Sequence, residues 1–153
     1  MFDANGTRIG PVVGFSSGFS DLDTGAPVTS VSFNGHQFMM VVTRNQFYDA
    51  GTYVGNIHGL YFEGAGCAGM PIVDFHGMEV MVPPAQITVP GHTVYIPIGS
   101  LGTQVVHVLS LLQTDGTCFL LSSGDGTGLN PGWFYAMPLV NLDGLYTPPF
   151  RMQ

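Results

Sequence analysis

Lysine is absent from this chain. Its three cations are Arg8, Arg44 and Arg151, and charged residues of either sign make up only 8% of its 153 positions, against roughly a quarter in an ordinary soluble domain. Acids outnumber them, for a net charge of −7. Phosphate binding needs several lysines or arginines to displace counterions, so the balance argues against a nucleic-acid partner and against an anionic membrane surface. Lysine is also a common guard of exposed sheet edges. A β-protein without it must close its sheet, blunt its edges with proline, or pair them with other subunits. Uninterrupted apolar runs of about 18 residues are missing too, so no membrane insertion is expected. The opening MFDANGTRIG has neither the basic stretch nor the apolar core of a secretory leader. The expectation is that a leader has been removed or that the domain belongs to a longer protein.

Helical periodicity is the next absence. No segment of a dozen residues keeps it without glycine or proline, and the chain has 22 glycines and 11 prolines. What it has instead is short apolar or alternating runs: PVVGF, VTSVSF, HQFMMVVT, PIVDF, MEVMVP, QITVP, HTVYIPI, QVVHVLSLL, TCFLL and FYAMPLVNL. Asn5-Gly6, Asn34-Gly35, Asp115-Gly116 and Asp143-Gly144 fall between such runs, and Asn-Gly and Asp-Gly favour the left-handed conformations of tight hairpins. HQFMMVVT is apolar on both faces and must be covered on both. The fold expected is all-β: one domain over residues 1–153, an antiparallel sandwich or barrel of about ten short strands.

Only two cysteines occur, Cys67 and Cys118. Cys67 lies in EGAGCAGMP, where glycines permit a bent, close-packed connection and Pro71 is expected to stop the segment from continuing a central ladder. Cys118 lies just after the Asp115-Gly116 turn. Two reduced thiols or a metal pair are the alternatives, although neither cysteine has a neighbouring His or Cys at ligand spacing. A disulfide between them is favoured, and with it an oxidising, extracytoplasmic setting.

DANGTRIGPVVG at residues 3–14, LYFEGAGCAGMP at 60–71, and a second cysteine with a terminal PPFR at 148–151 together resemble a module of uncharacterised secreted bacterial proteins. Some of those proteins carry collagen-like or tail-fibre-like stalks. The resemblance covers almost the whole chain. It implies a β-rich, secreted terminal domain and brings no catalytic residues with it.

Several constellations could carry chemistry. GFSSG places Ser16 in the pattern of a nucleophile elbow, but the GFSDLDTGAP segment is not helical, so a flexible loop is the better account. No two of the five histidines lie within ten residues of each other. A composite metal site from His58, His76 and Glu79 is the weak candidate, and His107 is read as a core or interface residue on a face with Val105, Leu109 and Leu111. Asp21, Asp23 and Asp125 are oxygen donors for calcium in principle, yet they match no full loop pattern. Glu63 and Glu79 are the only glutamates and read as solvated strand-end groups, not a glycosidase pair. Trp133 and Tyr135 form the densest aromatic group with Phe134; core packing of one or two of the three is the favoured reading, and a ring left exposed would stack on a sugar or anchor a protein contact.

The function expected is an extracellular, non-enzymatic structural or attachment domain that associates with copies of itself, as a fibre tip or filament subunit, without a cofactor. A cell-surface glycan or receptor is a further partner to consider. The alternatives are a small carbohydrate-binding module using Trp133 and Tyr135, or a small secreted metal-dependent or hydrolytic enzyme.

Overall fold

A computed structural model of the chain describes residues 1–16, 25–49, 60–74, 85–87, 91–99, 104–113, 115–121, 127–130 and 133–153. Among them are thirteen strands and one 3-10 turn, Leu142–Gly144, so the all-β expectation holds with more and shorter strands than anticipated. The first four are β1 (Val12–Phe15), β2 (Pro27–Phe33), β3 (His36–Val42) and β4 (Phe47–Asp49), which form one sheet in that order. Then come β5 (Leu60–Phe62), β6 (Pro71–Asp74), β7 (Gln86–Ile87), β8 (Thr93–Pro97), β9 (Gln104–His107) and β10 (Ser110–Leu112). The last are β11 (Cys118–Leu120), β12 (Thr127–Asn130) and β13 (Trp133–Asn141). A seven-stranded sheet runs β11-β10-β5-β6-β13-β8-β7, and β12 and β9 pair as a ribbon.

The Asn-Gly signal works as its chemistry dictates. Asn34 and Gly35 take φ of 48° and 79°, the two left-handed residues that let a two-residue turn follow the strand twist. That turn pairs Phe33 with His36 and sets the β2–β3 register through Val28↔Val41. On β3 the neighbours Met40 and Val41 point to opposite faces and are both buried, so this doubly apolar strand is indeed covered on both sides. Val31, Phe38, Met40, Val42 and Phe47 pack with Ile87, Val94, Leu142 and Phe150 into the largest core cluster. It joins the four-stranded sheet to the β7–β8 end of the seven-stranded one, giving the sandwich.

Alternation along β13 builds the other two clusters. Phe134 and Ala136 join Leu60 and Val73 on one face of the seven-stranded sheet. Trp133 and Tyr135 project from the other, with Tyr61 and Ile72, against Val106 and Val108. The chain ends are tied together as well: Phe2 bridges both Arg8 and Arg151, and Asp3 is buried beside them.

Three local expectations are corrected. Pro71 does not end a ladder; it opens β6, which pairs with β5 on one side and β13 on the other, and a first strand position is one proline tolerates. QVVHVLSLL is two strands, β9 and β10, that lie in different sheets. Its face with Val105, His107 and Leu109 is exposed, while Val106 and Val108 point inward. After Asp143-Gly144 the chain does not return as a hairpin strand. Asn141 caps the 3-10 turn through its side-chain oxygen, and the terminal PPF segment runs irregularly to the Arg151 bridge.

Candidate interaction surfaces

The cysteine corner is built from backbone contacts. The Glu63 N–H donates to the Met70 carbonyl at 3.1 Å and the Gly64 N–H to the Ala68 carbonyl at 2.8 Å, so residues 64–69 close a compact loop on the end of β5. Cys67 sits at φ 56°, and its N–H donates to the Ser110 hydroxyl at 2.9 Å. That hydroxyl, fully buried, donates in turn to the Gly64 carbonyl. Cys67 and Cys118 are bonded, with an S–S distance of 2.05 Å and Cα atoms 5.8 Å apart. The corner is thereby fastened to the first residue of β11.

β11 is a terminal strand of the seven-stranded sheet, and β1 is one of the four-stranded sheet. Both lack charged residues and proline. On β1, Val13 and Phe15 are 54% and 60% exposed; on β11, Phe119 and Leu120 are 54% and 62% exposed. Their free polar groups are set by register. Ser16 and Ala26 form a hydrogen-bonded pair through the Ser16 N–H, and Phe15 stands opposite Pro27, which has no N–H to give. The Phe15 peptide groups therefore point away from β2. The Leu121 N–H donates to Leu109 and the Gln113 N–H to Thr117, so the intervening peptide groups of Cys118 and Leu120 point away from β10 by the same alternation. Each strand thus presents apolar side chains together with outward-facing backbone donors and acceptors that have no partner among the described residues, and no lysine guards either.

The aromatic group is partly packed. Across five strands Phe119, Leu111, Tyr61, Ile72 and Tyr135 form one row, with Trp133 opposite Asp74. Trp133 and Tyr61 stack with ring centroids 4.9 Å apart. The Tyr135 hydroxyl donates to Glu63 Oε1 at 3.3 Å. Trp133, Tyr135 and Tyr61 are half-buried against the Ile72, Val106 and Val108 cluster. Desolvation and the nearby Asp74 carboxylate hold the Tyr61 hydroxyl above the usual tyrosine pKa. Tyr135 is raised by desolvation and by Glu63, to which it is hydrogen-bonded.

His58, His76 and Glu79 lie outside the described residues, as do Asp21, Asp23 and Asp125. Among the described residues no group of three or more His, Cys, Asp or Glu could hold a metal. The Ser16 hydroxyl accepts the Ala26 N–H at 3.1 Å and closes the end of the β1–β2 hairpin. A pair that no spacing rule suggested joins His92 Nδ1 to Asp143 Oδ1 at 2.7 Å. An imidazole so held is the base a nucleophile would use, but its buried Nε2 has no hydrogen-bond partner among the described residues. The Leu142 N–H donates to the His92 carbonyl, so the pair pins the 3-10 turn to the start of β8.

No helix among the described residues is long and apolar enough to cross a membrane. No protein-family model, curated protein or solved structure matches the chain.

Proposed function

We propose that the chain is an extracellular, non-enzymatic structural domain that associates with copies of itself through its terminal strands β1 and β11. The carrying observation is that both strands are uncharged and expose paired apolar side chains beside outward-facing peptide groups. An edge of that kind is a template for another strand. The most economical occupant is another copy of this chain, because each copy supplies two such edges. Pairing β1 of one copy with β11 of the next is heterologous, so it closes into a ring or grows into a filament according to the rotation between copies. Pairing β11 with β11 closes a two-fold dimer. The net charge of −7 opposes association, but neither edge carries any of that charge. The disulfide supports the extracellular part of the reading, since such bonds persist in oxidising compartments. A position at the end of a stalk or fibre is the part that the resemblance contributes.

Sedimentation velocity over a range of concentrations tests this. We expect assembly to rise with concentration, and Phe15→Lys or Leu120→Lys to reduce it while the circular-dichroism spectrum stays that of the parent. A wild-type chain that sediments as a monomer at tens of micromolar, or assembly unmoved by both lysines, defeats the reading.

A further inference from the structure

The chain has three cations in all, and two of them, Arg44 and Arg151, line one hollow of about 340 Å³ together with Met1, Val42, Phe150 and Met152. That volume is within the range of small-ligand sites. The two arginines arrive from distant parts of the sequence and are held together by main chain. The Phe150 N–H donates to the Arg44 carbonyl at 2.8 Å, and Phe2 and Arg151 exchange N–H to carbonyl bonds at 2.9 Å in both directions. Their side chains are exposed, and among the described residues neither makes an ion pair or a side-chain hydrogen bond. Val42 and Phe150, by contrast, are buried members of the main core cluster. Among the described residues, then, the carboxylates of this acidic chain leave these two arginines unpaired beside an apolar floor.

We propose that this hollow binds a carboxylate carrying an apolar tail, with Arg44 and Arg151 on the carboxylate and Val42 and Phe150 against the tail. The guanidinium fork matches a carboxylate in plane and spacing, and such charge-assisted bonds are stronger than neutral ones. The negative field of the whole molecule works against any anion, so the apolar floor must add to the recognition. A small free acid and the C-terminal residue of a peptide share this chemistry. The site shares no lining residue with β1 or β11.

Calorimetric titration of the whole chain with octanoate, and separately with an acetylated tripeptide ending in leucine, tests the proposal and separates the two sources. Saturable binding of at least one probe is expected, with octanol and the peptide amide silent. Arg44→Gln and Arg151→Gln should each weaken it about tenfold or more, and more than Arg8→Gln, which removes the same charge at a residue that does not line the hollow. Failure of both probes to saturate overturns the proposal. So does equal binding of the amide, a comparison that needs no variant to fold, or a loss no greater in Arg44→Gln and Arg151→Gln than in Arg8→Gln.

Discussion

The Asp3 carboxylate accepts the main-chain N–H of Thr147 at 3.1 Å, across 144 positions of sequence. Its other oxygen accepts the N–H groups of Thr7 at 2.7 Å and Asn5 at 3.0 Å. One acid thus organises the Asn5-Gly6 turn and ties it to the segment before the terminal prolines. Desolvation disfavours its ionised form, but the backbone donors of Thr147, Thr7 and Asn5 outweigh that and hold its pKa below the ordinary value. A depressed carboxyl pKa contributes stability above the unfolded value near 3.9, and that contribution is lost as pH falls through the lower folded value. Asp3→Asn should therefore melt several degrees below wild type at pH 7, with the gap closing as the pH falls below about 4. Thermal melts across that range check it, and a gap independent of pH would assign the effect to shape and not to charge.

The crosslink gives a second prediction. Cys67 and Cys118 are separated by 51 positions, and closing a loop of that size restricts the unfolded chain by about 4 kcal/mol in the entropic account. Cys67→Ser should lower the Tm by on the order of 10 °C in a domain of this size. Intact mass without reductant should be one pair of hydrogens below that of the reduced chain. Equal masses, or an unchanged melt, would remove the crosslink from the stability of the fold.

What the sequence made legible is what local chemistry controls. Asn34-Gly35 and Asp115-Gly116 mark real reversals because Asn34, Gly35 and Gly116 adopt left-handed conformations cheaply, and the alternation of VTSVSF and FYAMPLVNL sets the faces of β2 and β13. The pairing of Cys67 with Cys118 was open to reasoning because there was no third thiol. Where two strands abut without a turn signal, the local pattern fails. QVVHVLSLL carries no glycine or proline at its break, so nothing local reports that Val108 and Leu109 pass from one sheet to another. The exposure of Phe119 and Leu120 was equally hidden, since an edge strand and a central strand of three apolar residues look alike until their neighbours are known. Arg44 and Arg151 are brought together by long-range main-chain pairing, which no spacing encodes.

Gly64 shows why the corner before β6 is so poor in side chains. A Cβ built there would lie 2.7 Å from the Ala68 carbonyl oxygen and 3.1 Å from its carbon. Those atoms belong to backbone, and the oxygen already accepts the Gly64 N–H. The loop has little freedom to retreat, because Cys67 is fixed both by Ser110 and by its bond to Cys118. Gly64→Ala should cost about 1–3 kcal/mol, the range typical of overpacking. Gly14 on β1 is the control: nothing lies within 4 Å of its Cβ position, and alanine there should move stability by no more than about 0.5 kcal/mol, as at an ordinary surface site. Paired urea denaturation of the two variants reads the difference. If both unfold at the wild-type midpoint, the corner yields to an added methyl group, and the tight packing of residues 64–68 is not what makes glycine necessary there.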